Sequence, residues 1–473
     1  MFPFGRALLV LAIIAVVCGV AVAARSPLPR PDLLLWLPSA THHKQFAPLL
    51  ADWRPTTGGS VGLELIAGRP LNIRLLSMFM GDRRDRGVPD LVTIEIGQVG
   101  KYFRPPPDGI GLRPLDPWLD RLLPDGRTWR QRILPSRLAP WSRSGVCFGI
   151  PFDLHPVGLA WREDLWLQAG IDLTVVTTWE EFHAAGLRYQ AYWRDRGEAH
   201  RWAFEVQETS GDFLGTLLLQ RGVNLIDGPR IHLSDPVVAE ALAWWTRVVS
   251  GPEAIGWASP GSTALLAGDV ADGKCGALLC PDWRAKIFKD NAGDRLAGKL
   301  RVRALPVFAV GDAPTSTWGG TMIGITRACP DPDAAWQVIE RLFLSPESLS
   351  TRRRESAQIP PLPEYWSDPG LAEPDPWFRG PPPLRLFADL APQVPRRVVT
   401  AETGLAMAAL GNVLATAVAH VRRGGGYTGL EQIIATALTA ESADLKRRIA
   451  HASFATAAVD NGTAAADQAG VTP

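Results

Sequence analysis

Residues 149–165 read GIPFDLHPVGLAWREDL, and this stretch limits the fold more than any other. Its apolar content is that of a buried strand. Yet Pro151 and Pro156 lack backbone donors, and Asp153 and His155 stand between them. Proline in sheets is confined to edges, strand beginnings and bulges, so a single central strand through this stretch is excluded. The chain must interrupt its ladder here and still cover apolar residues on both sides. Its 473 residues also exceed what one core normally holds, about 250–300 residues, so two or three domains are expected.

Lys and Arg total 49, Asp and Glu 48, a net charge of +1. This balance argues against nucleic-acid binding, which needs a basic face or stripe; a locally charged cleft stays compatible with it. The 18 Trp residues are many for this length. An indole offers a flat apolar face and one N–H donor; most belong in cores, and the same ring suits stacking on sugars.

Arg6 precedes an uncharged apolar run from Ala7 to Ala24 that ends Ala21-Val22-Ala23. A basic start, an apolar middle and a small-residue end make a secretory signal. The run also reaches the lower edge of a membrane span, about 17–25 residues. Residues 1–24 are therefore read as a signal peptide or an N-terminal membrane anchor, and 25–31 (RSPLPRP) as a linker. Lipid attachment at Cys18 is the weaker alternative, because Val17 precedes it. Each reading exports the rest of the chain, to the periplasm or the outer face of the cytoplasmic membrane. Cys147, Cys275, Cys280 and Cys329 lack the spacing of a metal site and are read as buried free thiols. No metal and no cofactor are expected.

Short apolar runs alternate with helical patterns from Leu33 onward, a parallel α/β signature. Strands are predicted at 33–37, 61–66, within 87–96, at 274–280 and at 301–308. Helices are predicted at 44–53 and 70–80, behind a Thr177/Glu180 capping box, and behind Asp235-Pro236 and Asp331-Pro332, which place proline at the first helical position. The Ala-, Gly-, Asp- and Thr-rich tail, 452–473, reads as disordered. GxxxxGK[ST] and H-E-x-x-H are missing from the sequence, and no G-x-G-x-x-G opens a helix after a strand.

Seven segments in order resemble the extracellular solute-binding proteins of ABC importers, in the sugar-binding branch of family 1. They are GVPDLVTIEI (87–96), GLRPLDPWLD (111–120), GIPFDLHPVGLAWREDLWLQAGI (149–171) with TTWEEF (177–182), LLQRGVNLIDG (218–228), SDPVVAEALAWW (234–245), GKCGALLCPDW (273–283), and ALPVF followed by WGGTMIGITRACPDPDAAWQVIERLFLSPES. The resemblance implies a non-enzymatic binding protein with a type II periplasmic-binding-protein-like fold. Two α/β lobes, 32–153 plus 305–345 and 154–304 plus 346–451, would flank a hinge and a ligand cleft. The implied ligand is a mono- or oligosaccharide and the implied partners are membrane permease subunits. The passage from Asp153 to Gly158 then becomes a lobe crossing, with LAW (159–161) entering the second sheet.

On that frame Ser39, Thr41 and His42 follow the first strand, and Glu95 and Gln98 follow the PDLV strand. Asp153 and His155 sit at the crossing, and Glu208, Ser210 and Asp212 in a polar turn before a helix. Carboxylates, amides and hydroxyls at such positions can bind sugar hydroxyls, although Ser and Thr there also serve as helix caps. Trp283 is the strongest stacking candidate, followed by Trp318 with Gly319 and Gly320, whose missing side chains allow close backbone approach; Trp257 is the weakest. A secreted carbohydrate-active enzyme with two carboxylates about 5–10 Å apart, or a sensor feeding a kinase, is the alternative function.

Overall fold

The computed structural model describes residues 5–23, 31–56, 58–80, 87–104 and 106–468. The predicted linker, apart from Pro31, and the final five residues lie outside them.

The apolar N-terminal run forms α1 (Gly5–Ala23), and from Val10 to Val20 every side chain is exposed. The first sheet is built in βα steps: β1 (Leu33–Leu37), α2 (Ala40–Leu50), β2 (Val61–Leu65), α3 (Gly68–Met80), β3 (Leu91–Glu95) and α4 (Ile96–Tyr102). Helix α2 begins earlier than the predicted Lys44, because the Ser39 hydroxyl accepts from the His42 N–H at 3.2 Å and so caps the first turn.

The chain then reaches β4 (Ile150–Pro151), passes through 152–156 and enters β5 (Val157–Arg162). Beyond it come α5 (Trp179–Arg194), β6 (Trp202–Val206), α6 (Gly211–Gln220), α7 (Pro236–Val249), β7 (Gly256–Ala258), α8 (Thr263–Ala271), β8 (Cys275–Pro281), α9 (Asp282–Ala292) and β9 (Leu300–Ala304). The cap of α5 is set one residue later than predicted: Thr178 pairs with Glu181. That phase buries Trp179, Phe182, Ala185 and Tyr189 on one face. The chain returns as β10 (Thr321–Ile325), α10 (Pro332–Ile339) and α11 (Pro346–Glu355), then adds β11 (Phe378–Arg379), α12 (Thr403–His420) and α13 (Leu430–Gln468). The backbone of α13 thus stays helical through most of the predicted disordered tail; its alanines have the highest helix propensity of any residue.

Two sheets result, in the order β2-β1-β3-β10-β4 and β7-β6-β8-β5-β9-β11. In the first, β1 runs parallel to β2 and β3, while β10 runs antiparallel to β3 and β4. In the second, β5 lies antiparallel between β8 and β9. Each sheet is buried on both faces by its own helices, as the strings LLLWL, VGLAWR and CGALLCP require. Helices α12 and α13 pack on α6 and α7 of the second lobe.

Two boundaries differ from those read in the sequence. Strand β9 stops at Ala304, and 305–314 stays with the second lobe: Val307 N–H bonds Thr177 O at 3.0 Å, and Ala313 N–H bonds Gln220 O at 3.1 Å. Pro306 cannot extend the ladder, and Asp312 accepts from the N–H groups of Phe308 and Ala309, closing a turn. The crossing follows at 315–320. Helix α11 packs on α2 in the first lobe, so the third crossing comes at 356–360 rather than before 346.

Candidate functional site

A cleft of about 410 Å³ opens between the sheets. It lies at the carboxyl ends of β1, β3 and β8, where α2, α4 and α9 begin, the place where open α/β sheets hold ligands. Ser39, Thr41 and His42 line it from the first of these junctions, Glu95 and Gly97 from the second, Trp283 and Lys286 from the third.

The crossings form its floor. Pro156 pairs with Thr317 in an isolated antiparallel bridge. Leu154 N–H donates to Ile359 O at 2.9 Å, tying the first crossing to the third. The Thr317 hydroxyl donates to Leu154 O at 2.9 Å. Within this knot His155, held at φ 55°, places Nε2 2.9 Å from Asp153 Oδ2 and Nδ1 2.6 Å from Asp282 Oδ1. Burial alone would push the imidazole down; the carboxylates of Asp153 and Asp282 reverse this and push it up to about 9. His155 is therefore an imidazolium, hydrogen-bonded to Asp282 and ion-paired with Asp153. Asp153 Oδ1 also accepts from Thr321 N–H at 3.2 Å on β10, and Asp282 Oδ2 accepts from Ile359 N–H at 2.7 Å. Arg137 completes the cluster, its Nη2 3.6 Å from Asp153. One cation thus links a carboxylate bonded to the first lobe with a carboxylate at the head of α9 in the second.

Trp283 and Trp318 make the aromatic wall. Their ring centroids are 6.2 Å apart at 67°, and Trp283 Nε1 donates to Trp318 O at 3.1 Å. Trp318 Nε1 donates to Asp212 Oδ2 at 2.9 Å. The Arg284 guanidinium lies 4.8 Å from the Trp318 ring and is held from behind by the buried Glu205 carboxylate, at 2.6 and 2.9 Å. After Trp318 the backbone runs through Gly319 (φ 99°) and Gly320 (φ 139°), conformations open to glycine. A Cβ at Gly319 would stand 3.0 Å from the His155 ring.

The opposite wall is less charged. His42 stacks on Phe46, centroids 5.5 Å apart, and meets Phe152 edge-on at 4.8 Å. Burial lowers its pKa to about 4, so it is neutral near pH 7. The Arg352 guanidinium covers the other part of Phe152, 3.6 Å from the ring centroid. Burial, with the nearby Asp153 charge, raises the Glu95 carboxyl above its usual range.

The structure gathers Thr41, His42, Glu95, His155 and Asp212 around this cleft, with Trp283, Trp318, Gly319 and Gly320. Five predicted residues do not line it. Asp153 faces His155 and Arg137 from a fully buried position. Gln98 directly follows Gly97, the last lining residue of α4, and its amide oxygen accepts from Lys101. Glu208 pairs with Arg422 at 2.8 Å. Trp257 packs beside the second lobe's core and donates to Asp269 at 3.2 Å. Ser210 caps α6, accepting from Phe213 N–H at 3.2 Å. Reading the motifs missed Lys286, Asp290, Glu355, Gln358 and Arg397. Lys286 follows Trp283 by one helical turn, a spacing that would have revealed it. Gln358 and Arg397 fall in a region without a motif.

The charged cleft residues are largely paired within the protein. Asp212 faces Arg397 at 3.6 Å, and Lys286 bonds Asp290 one helical turn on.

A family model described as bacterial extracellular solute-binding protein matches residues 81–347. An arabinooligosaccharide-binding protein of Bacillus subtilis (strain 168) is 20% identical over 297 residues, 61% of this chain and 64% of that protein, so a little under two thirds of that relative's length is spanned. A protein of the same name from Halalkalibacterium halodurans is 20% identical over 369 residues, 74% of this chain and 75% of its own. Among solved structures, the GacH receptor of Streptomyces glaucescens superposes with a TM-score of 0.67 at 16% identity, covering 88% of this chain and 98% of the receptor. The sugar-binding protein MalE of Xanthomonas citri gives 0.65 at 18% identity, covering 89% and 98%. At such identities the likeness is one of fold: two lobes around a cleft.

Proposed function

The chain belongs to the bacterial extracellular solute-binding proteins, and from that premise we propose that it binds an uncharged carbohydrate, a mono- or oligosaccharide, between its lobes and delivers it to the permease of an ABC importer. The observation that carries this reading is the pairing of an indole wall, Trp283 and Trp318, with a polar floor whose charges are mostly neutralised from within. An indole face packs on the C–H face of a sugar ring. A cleft whose ions already have partners favours hydroxyls over a charged solute, because an unpaired buried charge is costly. The names of the two sequence relatives support the same class.

Delivery follows from differential affinity. Contacts from both lobes are complete only in the closed form, so the ligand shifts the population toward closure, and closure about a hinge presents a new shape to a membrane partner. The apolar α1 supplies export, and either its removal or its retention leaves the lobes outside the cytoplasmic membrane. The family is one of binding proteins, and the proposed site residues hold and orient the ligand without transforming it.

A thermal-shift screen tests the proposal against arabinooligosaccharides, maltodextrins, galactobiose, pentitols, amino acids and peptides. A bound sugar stabilises the protein by about 2.7 kcal/mol at 100 times its dissociation constant. A shift with amino acids or peptides and none with any sugar would overturn the carbohydrate reading.

A further inference from the structure

The cleft contains two side chains whose hydrogen-bonding capacity is unused. His42 is 5% exposed and Gln358 is 7% exposed, and both line the cleft. Among the described residues, nothing bonds His42 Nδ1 or Gln358 Oε1. Most other polar groups around the floor are engaged: His155 with Asp153 and Asp282, the Thr317 hydroxyl with Leu154 O, Asp212 with Trp318 and Arg397.

Both residues stand against the first crossing. The His42 ring meets Phe152 at 4.8 Å, while Ile359, next to Gln358, bonds Leu154 through its carbonyl at 2.9 Å. They reach that crossing from different directions, His42 on α2 at the end of β1 and Gln358 on the third crossing. Buried polar groups ordinarily have partners, and leaving one unmade is costly. Asp153 Oδ2 and Arg137 Nη2, beneath the floor, also lack hydrogen bonds but face each other's charge and His155; His42 and Gln358 line the cleft itself, where a ligand can supply the missing partners.

We propose that His42 and Gln358 form a deep hydroxyl-reading subsite, which receives a neutral hydroxyl of the sugar. The inference rests on the carbohydrate reading above. The chemistry of the pair favours it. A neutral imidazole carries one donor and one acceptor, and a carboxamide carries both as well; burial beside Phe46 and Phe152 keeps His42 neutral. A hydroxyl, itself donor and acceptor, can satisfy either residue.

The test uses the mature protein, the tightest-binding sugar of the panel above and the monodeoxy analogues of that sugar, with dissociation constants from calorimetry. Gln358→Met and His42→Phe keep size and shape and remove the polar atoms. Each is expected to weaken the parent sugar roughly ten- to a hundred-fold, the range of one buried hydrogen bond left unmade. One monodeoxy analogue should lose as much on the unmodified protein and lose nothing further on the variants. Thermal unfolding without sugar reports whether each variant folds; Gln358→Glu, which keeps the shape and changes the charge, is the replacement if one does not, and should also bind at least ten-fold more weakly. Unchanged affinity of the folded variants for the parent sugar would overturn the subsite and leave the carbohydrate reading standing. If no panel sugar binds the unmodified protein, the carbohydrate reading fails and the subsite falls with it.

Discussion

His42 and His155 line the same cleft, both at most 5% exposed, and differ in charge, one neutral and one cationic. His42 sits at the head of α2 between Phe46 and Phe152. Burial dominates there, and its pKa falls to about 4. His155 sits in the first crossing between Asp153 and Asp282. It is buried as deeply, yet the two carboxylates raise it to about 9. Burial penalises an imidazolium in either place; only a paired anion changes the outcome. The contrast divides the labour of the cleft floor. The charged histidine joins the crossings to one another, and the neutral one stays available to a neutral ligand.

The strongest way to break the contrast is to remove an anion from His155. Asp282→Ala should cost about 3–5 kcal/mol in denaturant unfolding, because it strands a buried charge and also leaves Ile359 N–H without its acceptor. The same variant should bring the His155 imidazole below its value of about 9 in an NMR titration. If both numbers stay unchanged, the ionic knot is not what holds the crossings.

The pH dependence of the unmodified protein comes next. The folded pKa of His155 lies above its unfolded value near 6.5, so its contribution is fully present below about 6.5 and is lost as pH rises to about 9. At about 1.36 kcal/mol per unit the loss approaches roughly 3 kcal/mol. His42 works at the other end. Its folded pKa is depressed to about 4, so the unfolded chain alone takes up a proton below about 6.5, and stability falls as pH drops from there toward 4. Unfolding curves measured from pH 4 to 9 should therefore show a maximum near neutrality, and a monotonic profile would contradict the assignment of the two charge states.

Trp283→Ala separates ligand recognition from the knot. Its ring stands edge-on to His155, with centroids 6.5 Å apart at 71°, and is part-exposed in the cleft. The variant should lose the sugar-induced thermal shift, about 2.7 kcal/mol at 100 times the dissociation constant, while both imidazoles titrate as before. A retained shift would remove Trp283 from the site. The smallest effect is expected from His42→Phe in the absence of sugar. It should change stability at pH 7 by less than about 1 kcal/mol, as an aromatic replaces an aromatic of similar size, and should flatten the acid limb of the pH profile.

Much of the frame was legible along the chain. The prolines of GIPFDLHPVGL marked the break between β4 and β5, and the apolar runs at 33–37 and 274–280 marked buried strands within a residue. Trp283 and the Trp318-Gly319-Gly320 turn were legible because their motifs tie residue type to strand end. Asp153 was misjudged as a cleft residue because polarity in a crossing does not reveal whether a side chain points to ligand or to another ion. Glu208 and Trp257 failed similarly, one paired with Arg422 and the other with Asp269. The reverse error, missing Gln358 and Arg397, has one cause: both arrive from chain segments far along the sequence, after 350, where no pattern links them to the cleft.

The sequence by itself determined the α/β alternation, the apolar N-terminal run and the break in the ladder within 149–158, because strand periodicity, proline geometry and capping act over a few neighbouring residues, while the two-lobed plan came from the resemblance of its motifs to a family. Only the tertiary structure decided which ions pair and which imidazole is charged. Those outcomes depend on burial and on partners 127 residues apart, as His155 and Asp282 are, and electrostatics in a buried site is set by distance in space, not by distance along the chain.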